Sequence, residues 1–551
     1  MKNELILAYA LENAIEHEGQ ANQGAVIGHL CSAGLNKQDI PKTIPIVKEI
    51  VDKINSLKPE EQIAQFEQLK KLVKKSTKKQ SGLPHLINVK RNPVFRLAPY
   101  PSGDLHIGNA RTYLLNAIYA EKYNGKIKLV IDDTIGSEEK QIIKEAYNLI
   151  PETFNLLRVK FSKPIIYKSD RLKKYYKHAE ELIRKGHAYV CHCSAEKFRK
   201  LKEEMRECAC RQFPAREQMK RWKSMFKKST AVGAAVLRLK TDMQHPNPAF
   251  RDRVLFRISE RRHPRVGKKY RVWPMLEFSW AIDDHLLGIT HIIRGKDLMM
   301  ETEVEKFIWN LFKWKHPEVI HSGMMRMRGL EGAKISKSKS QKEVLSGTFI
   351  GWDDPRTWSI HSLIRRGITE EALREFVRDI GLTENDIVVP IDALYSINRK
   401  KIDKRANRYF FITDPVEIKI KNKPPAVKVK LKLNPSRSAT REIIASKIFI
   451  SREDYENFKD KEIRLIHLYN LLLSDPPEYT GMQNKKIQKI QWVSKPLKTR
   501  IMMPNGTWVE GFADDGVKKL KKHQIIQFER FGFCRFDQVK KGYYEFWFAH
   551  S

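Results

Sequence analysis

The stretch that decides the fold is Phe95 to Asn124, which reads F-R-L-A-P-Y-P-S-G-D-L-H-I-G-N-A-R-T-Y-L-L-N-A-I-Y-A-E-K-Y-N. Val94 to Ala98 is short, apolar and β-prone, and two prolines and Gly103 then break it. A helical period resumes at Ile107, with apolar residues recurring three and four positions apart. The stretch therefore predicts a strand, a tight turn and a helix.

The first turn of that helix is a candidate phosphate site. Its backbone N–H groups lack helical partners, and the positive end of the helix dipole favours a negative charge. Gly108 has no Cβ, so a flat base or ribose can press against the backbone there. His106 can donate a hydrogen bond to a phosphate oxygen as negative charge builds on it. The alternative is that such a unit holds a histidine near its helix without any function.

A second candidate is the loop Ala333 to Ser340, A-K-I-S-K-S-K-S. Taken alone, it is typical of a solvated Lys/Ser linker. Chemistry offers another interpretation, because a leaving pyrophosphate must be neutralised and then released. The ammonium groups of Lys334 and Lys337, on a loop preceded by Gly329 and Gly332, can do both.

Both stretches resemble signatures of class I aminoacyl-tRNA synthetases. P-Y-P-S-G-D-L-H-I-G-N resembles the HIGH signature, with Asn109 in place of its second histidine, and K-I-S-K-S resembles the KMSKS signature, with Ile335 in place of methionine. F-R-L-A-P resembles the glutamyl/glutaminyl branch. The resemblance implies a Rossmann-like parallel-sheet catalytic domain that uses ATP with Mg²⁺. It assigns catalytic roles to His106, Asn109, Lys334 and Lys337, and ATP binding to Pro99, Ser102, Gly103, His106, Gly108, Asn109 and Lys337.

The choice between glutamate and glutamine depends on arginines. G-I-T-H-I-I-R-G-K-D strongly resembles the glutamyl branch, and its Arg294 ends a predicted strand on the ligand side of the sheet. A guanidinium can form a bidentate pair with a carboxylate, which an uncharged amide cannot match. Arg96 is the second candidate clamp, and glutamate is therefore favoured. The predicted glutamate site consists of Arg96, Ala98, Ser102, Asp132 and Arg294.

Some positions depart from the pattern of the family. The glutamyl branch usually reads R-[IF]-E-D-T-D where this chain has V-I-D-D-T-I, so Val130, Asp132 and Ile135 differ. Leu276 also stands where relatives often have tyrosine. Two alternative roles stay open for Asp132: it could bind the ammonium group of the substrate, or it could bind ribose hydroxyls.

Four cysteines form a candidate metal site. Cys191-His192-Cys193 and Cys208-Ala209-Cys210 are separated by the fourteen residues 194–207, which read as helical. Two C-x-C pairs suit a structural, tetrahedral zinc site with ligands Cys191, Cys193, Cys208 and Cys210, because four thiolates leave no position open for water. The alternative is four reduced, partly buried thiols.

Composition restricts the class of protein. The 551 residues carry a formal net charge of +38, and 41% of them are hydrophobic. So large a basic excess favours a polyanionic partner such as RNA. No run of about 18 apolar residues is present, so no membrane span is expected. No signal peptide is apparent at the first residues, and we expect a cytoplasmic monomer.

The predicted fold is multidomain, α/β plus β. Residues 1–75 are helical by period and resemble the appended N-terminal domain of archaeal-type glutamyl-tRNA synthetases. From Val416 the period changes to two, with Asn505–Gly506 as a hairpin turn, which predicts a β-barrel that resembles anticodon-binding barrels. The predicted domains are 1–75 helical, 76–93 basic linker, 94–190 first catalytic half, 191–269 acceptor-end-binding insertion, 270–345 second catalytic half, 346–410 helical stem-contact domain and 411–551 anticodon-binding barrel.

We therefore predict ligation of glutamate to tRNA(Glu) through glutamyl-adenylate, and the archaeal-type resemblance leaves tRNA(Gln) open as a second substrate. The nearest alternative is a glutaminyl-tRNA synthetase. Two further alternatives are a tRNA-binding protein with a decayed catalytic core, which the departures at Asn109, Val130 and Ile135 suggest, and a small nucleotidyltransferase that shares the H-I-G turn.

Overall fold

The computed structural model describes residues 3–16, 19–33, 35, 39–73, 83–89, 91–137, 141–330 and 337–551, without the side chains of residues 16, 32 and 337–339. The chain divides into two compact units, residues 1–84 and 85–551. Among the described residues, none of the helices is both long enough and apolar enough to cross a membrane.

The first unit is helical, as predicted. Its described helices are α1 Asn3–Glu16, α2 Gln23–Ser32, α3 Ile40–Asn55 and α4 Pro59–Leu69. They bury an apolar core that includes Leu11, Val26 and Val47. Gly19, in the segment between α1 and α2, takes a φ of +88° that glycine tolerates without steric cost.

The second unit begins with the strand, turn and helix predicted from its sequence. The elements from Val94 to Arg184 are β1 Val94–Leu97, α5 Ile107–Lys122, β2 Lys126–Ile131, α6 Ala146–Leu156, β3 Ser162–Tyr167 and α7 Leu172–Arg184. Apolar side chains of α5 such as Leu114, Leu115 and Ile118 are buried, which accounts for the helical period.

An antiparallel sheet with its own helices follows. Its elements are β4 Ala188–Cys191, α8 Ala195–Glu203, α9 Ala215–Met225, β5 Val236–Leu239, β6 Val254–Ile258 and β7 Val272–Pro274. The strands pair in the order β4-β5-β6-β7. Trp222 of α9 packs on Phe256 of β6, with ring centroids 5.2 Å apart, so this insertion has an aromatic core.

The chain then returns to the parallel sheet. The next elements are α10 Leu276–Leu286, β8 His291–Gly295, α11 Met299–Phe312, β9 Glu318–Ser322, β10 Met325–Arg328 and α12 Lys337–Leu345. In the described part of residues 94–330, five strands form a sheet in the order β3-β2-β1-β8-β9, and every pair is parallel. Strand order reverses between β1 and β8, and the crevice at their carboxyl ends is where open parallel sheets bind ligands.

Helices lead from the sheet to the C-terminal strands. The elements are α13 Ile360–Arg366, α14 Glu370–Ile380, β11 Ile387–Pro390 and α15 Ile391–Ile402. The helices end at Ile402, before the end of the predicted helical domain 346–410, because Asn407–Tyr409 is a strand, β12. Tyr409 is buried in the C-terminal core, and tertiary packing overrides the local helical pattern there.

The C-terminal region is β-rich, as predicted. After β12 come β13 Phe411–Thr413, β14 Pro415–Ile418, β15 Val427–Lys432, β16 Thr440–Ala445, β17 Ile448–Ser451, α16 Arg452–Asn457, β18 Glu462–Leu465, β19 Asn470–Leu472, β20 Glu478–Gly481, β21 Gln488–Ile490, β22 Leu497–Met502, β23 Trp508–Ala513, β24 Ile525–Phe528, β25 Gly532–Lys540 and β26 Tyr543–His550. The structure describes all of residues 406–551, and their apolar side chains form two separate clusters. The C-terminal region therefore consists of two β-modules, each with its own apolar core.

The terminal module is a curled sheet. Seven strands pair in the order β12-β24-β25-β26-β22-β23-β13. Its edge strands β12 and β13 are consecutive in the chain, so the sheet nearly closes on itself. Asn505–Gly506 turns between the antiparallel strands β22 and β23, as predicted.

Candidate active site

A cleft opens at the carboxyl ends of β1, β2 and β8. It consists of two adjoining cavities of about 280 and 570 Å³. The residues that line both include Ala98, His106, Asn109, Tyr113 and Trp280. The cleft thus brings together the strand ends and the first turn of α5.

His106 is the N-cap of α5. Its Nδ1 accepts a hydrogen bond from the backbone N–H of Asn109, at 3.3 Å. In a neutral imidazole the ring proton then resides on Nε2, so that nitrogen is the donor of the ring. A Cβ on Gly108 would lie 3.0 Å from the His106 ring, so Gly108 makes room for the imidazole as well as for a ligand.

The lysine loop is described only in part. Lys334 lies outside the described residues, and α12 begins at Lys337, whose side chain is also outside them. Side chains further along α12, Gln341, Lys342 and Leu345, line the larger cavity together with His106. The helix that follows the lysine loop therefore faces the same cleft as the H-I-G turn.

Buried ion pairs form the floor of the cleft. They are Arg96–Asp284 at 2.5 Å, Arg294–Glu305 at 2.7 Å and Lys168–Asp132 at 3.2 Å. All six side chains are at most 5% exposed. Burial costs each charge its hydration, and the partner of opposite charge offsets that cost.

Trp280 lies at the centre of these pairs. Its ring is 4.5 Å from the guanidinium carbon of Arg96, 4.9 Å from Nζ of Lys168 and 5.4 Å from the guanidinium carbon of Arg294. The negative face of an indole attracts cations, and the attraction is stronger when water is excluded. The indole therefore helps to hold three positive charges in one buried layer.

The ion pairs leave one guanidinium nitrogen available for a ligand. Nε of Arg294 is buried and makes no hydrogen bond. Oδ2 of Asp132 is also buried, and it faces Nζ of Lys168 at 3.2 Å. Burial lowers the pKa of Lys168, although the charge of Asp132 opposes the shift. Burial also raises the pKa of Glu305, against the effect of Arg294. Both shifts reflect the cost of burying charge beneath this cleft.

The other predicted site residues lie around the same cleft. Ser102 and Asp132 line the larger cavity, and Arg96, Gly108 and Arg294 line the smaller one. Pro99 and Gly103 are not among the lining residues. The carbonyl of Pro99 accepts a hydrogen bond from the N–H of Asp132, at 3.0 Å, and Gly103 faces Trp352. Both therefore shape the turn instead.

The sequence did not single out Lys168, Trp280 or Tyr113. Lys168 follows β3 directly, so its place at a strand's carboxyl end is a signal that sequence reasoning could have used. Trp280 lies on α10, and its approach to the cleft depends on how that helix packs. Asp283 and Asp284 also lie on α10, where they pair with Arg171 and Arg96.

The four clustered cysteines converge in the insertion. One sulfur atom from each of Cys191, Cys193, Cys208 and Cys210 lies within 4.8 Å of the others, and none is in a disulfide. The Cys208 sulfur lies 3.7 Å from that of Cys191 and 3.2 Å from that of Cys193. A tetrahedron with Zn–S bonds of about 2.3 Å has sulfur atoms about 3.8 Å apart, so the donor set fits zinc.

The sequence matches the family described as tRNA synthetases class I (E and Q), catalytic domain, over residues 94–404. The anti-codon binding domain of that family matches residues 406–487 and 466–537. The chain therefore belongs to the class I tRNA synthetases of the E and Q branch, and the predicted class is confirmed. A "Glutamate--tRNA ligase" of Methanothermobacter marburgensis is 38% identical, with 100% of each chain covered. That of Pyrococcus furiosus is also 38% identical, with 97% of each covered.

Proposed function

We propose that this chain attaches glutamate to tRNA(Glu) in two steps. The α-carboxylate of glutamate attacks the α-phosphate of ATP in line, which gives glutamyl-adenylate and pyrophosphate. The 2′-hydroxyl of the terminal adenosine then attacks the adenylate carbonyl and releases AMP. The observation that carries the proposal is that the H-I-G turn and α12 line one cleft, in a chain whose full-length relatives are glutamate–tRNA ligases.

Positioning and charge stabilisation are the contributions of the protein to both steps. Nε2 of His106 donates a hydrogen bond to the phosphates. Asn109, the third residue of α5, also contacts the phosphates. Lys334 and Lys337 neutralise the departing pyrophosphate. ATP enters with Mg²⁺, which its own phosphates and water hold for the most part, and Asp297, which lines both cavities, is the candidate protein ligand.

The smaller cavity is the proposed site for the side chain of glutamate. Arg96 and Arg294 line it, and the unpaired Nε of Arg294 is a donor for a carboxylate. Asp132 lines the larger cavity, and its carboxylate suits the substrate ammonium. A guanidinium can form a charge-assisted, bidentate pair with a carboxylate, which an uncharged amide cannot match.

The test of the proposed function is aminoacylation with purified tRNA(Glu) and tRNA(Gln), each offered glutamate or glutamine. We expect glutamate on tRNA(Glu), and the result with tRNA(Gln) decides whether both tRNAs are substrates. Arg294→Gln should lower the ratio of glutamate charging to glutamine charging, a ratio that a uniform loss of folded protein leaves unchanged. Arg262→Gln, at an exposed arginine in the insertion, controls for the loss of one positive charge. Charging of glutamine in preference to glutamate would support a glutaminyl enzyme, and no adenylate at all would support a decayed core.

Zinc bound by Cys191, Cys193, Cys208 and Cys210 would hold the insertion together. We expect about one zinc per chain by elemental analysis, which Cys208→Ser abolishes and Cys31→Ser does not. Cys31 is a matched control because it is a free cysteine of the first unit and is not one of the four clustered cysteines. Less than a tenth of an equivalent in the parent protein would instead favour four reduced thiols.

A further inference from the structure

The turn that carries His106 rests on one buried carboxylate. Asp104 is 2% exposed. Its Oδ1 accepts hydrogen bonds from the N–H of Leu105, at 2.7 Å, and from the hydroxyl of Thr153 on α6, at 2.6 Å. Its Oδ2 lies 2.8 Å from Nδ1 of His361 on α13. Asp104 therefore ties the turn to two different helices.

His361 sits among acidic groups. Besides Asp104, it faces Glu152 of α6, whose Oε2 is 3.8 Å from its Nε2, and the charge of Asp353, from the loop before α13, also reaches it. Asp353 is itself paired with Arg365 at 2.7 Å. Burial alone would lower the pKa of His361, but its hydrogen bond to Asp104 and these negative charges raise the pKa above its ordinary value.

Backbone contacts join the same two segments. The N–H of Ile360 donates to the carbonyl of Leu105 at 2.9 Å, and the N–H of Ile107 donates to the carbonyl of Trp358 at 3.4 Å. His106 itself pairs with Ser359 in an isolated β-bridge. The start of α13 is thus hydrogen-bonded to the turn on both sides of His106, and the Asp104–His361 ion pair adds a charged contact between the same two segments.

We propose that Asp104 and His361 are positioning residues that hold the H-I-G turn in register for the first step, and that the positive charge on His361 sets how firmly they hold it. The inference rests on the proposed function, in which the H-I-G turn places His106 against the phosphates of ATP. Neither side chain lines the cleft, so neither contacts substrate. Loss of the pair therefore lowers kcat through misplacement of His106 and leaves KM for glutamate nearly unchanged.

The test measures ATP–pyrophosphate exchange, with glutamate and tRNA present, from pH 6 to pH 9. His361→Gln is neutral throughout and should lower kcat about tenfold at pH 6.5, the effect of one lost charge-assisted hydrogen bond. In the parent, His361 is fully protonated well below its raised pKa and loses its proton as the pH rises through that pKa. The difference in kcat between the parent and His361→Gln should therefore shrink at high pH. His361→Arg stays positively charged over the whole pH range. Its kcat should therefore lack the fall at high pH that deprotonation of His361 causes in the parent.

Two further measurements separate the inference from the proposed function. His316→Gln replaces an exposed histidine just before β9, at the amino end of the parallel strands, whereas the H-I-G turn lies at their carboxyl ends. This variant should behave as the parent. Amide hydrogen exchange over residues 101–112 should be faster in His361→Gln and in Asp104→Asn, whether or not the protein charges tRNA. Parent-like exchange in this segment, or an effect on KM for glutamate alone, would overturn the inference. A parent protein that forms no glutamyl-tRNA would refute the function instead.

Discussion

At the scale of single residues, the N-cap position of His106 makes a sharp prediction. His106→Ala should cut ATP–pyrophosphate exchange by on the order of 10²-fold, the scale of one lost transition-state donor. Its backbone turn should survive, because an N-cap replaced by alanine costs only about 1 kcal/mol. Unchanged thermal stability within a few degrees, together with the rate loss, would support a chemical role, and an exchange rate equal to that of the parent would contradict it.

Gly103 offers a second prediction at this scale. Its φ is +138°, and an added Cβ would lie 2.1 Å from the Trp352 ring. Gly103→Ala should therefore lower both the melting temperature and the exchange rate, because a rigid indole cannot move aside without displacing the turn. Gly186→Ala is the matched control, since its φ is +79° and nothing lies within 4 Å of the added Cβ. Equal losses in the two variants would show that backbone strain alone is responsible.

The sequence was sufficient for site residues that belong to local motifs, such as His106 and Arg96, because strand, turn and helix place them together. It was insufficient for Lys168 and Trp280, because their positions depend on how distant elements pack. Arg294 was expected as a carboxylate clamp. The structure adds its partner Glu305, eleven positions later on α11, which a buried guanidinium requires but a strand pattern does not reveal.

At the scale of elements, the last strand predicts a pH dependence of stability. His550 of β26 is 1% exposed, and its Nε2 lies 3.0 Å from the side-chain amide nitrogen of Asn398 on α15. Burial lowers the pKa of His550 to about 4. An unfolded histidine titrates near 6.5, so the unfolded chain binds the extra proton and stability falls as pH drops from about 6.5 towards 4.

The expected effect is about 2 kcal/mol of lost stability between pH 7 and pH 5 from this one group. Urea unfolding of the C-terminal region at the two pH values measures it. His550→Gln keeps an acceptor for the amide of Asn398 but has no group that titrates. Between pH 7 and pH 5, the variant should therefore lose less free energy of unfolding than the parent, by the same amount. An equal loss in parent and variant would mean that other groups account for the acid sensitivity.

Elements with a strong period were predictable and elements set by packing were not. The alternation of Val427 to Lys432 indicated a strand, and its apolar side chains Val429 and Leu431 are buried while the lysines are exposed. Strand β11 was missed because its four residues gain their pairing only from β10, more than fifty positions earlier. The same reason explains β12, where the pattern read as helix but β24 supplies the partner.

At the scale of the whole molecule, the net charge of +38 predicts how tRNA binds. Affinity should fall roughly 10²- to 10³-fold between 50 and 200 mM salt, because each neutralised phosphate releases counterions. Replacement of Lys428, Lys430 and Lys432 together by glutamine should reduce the slope of log affinity against log salt. Filter binding at several salt concentrations measures both, and a flat profile would contradict broad contact with phosphates.

The layer of paired charges around Trp280 also bears on how this enzyme can change over evolutionary time. A lone substitution of Arg96, Lys168 or Arg294 strands an opposite charge in a dry interior, at a cost comparable to a large part of a domain's stability. Lineages that drift towards another amino acid must therefore exchange these residues in matched couples. The paired residues should therefore covary, so that in an alignment of many related sequences a change at one member of a pair accompanies a change at its partner.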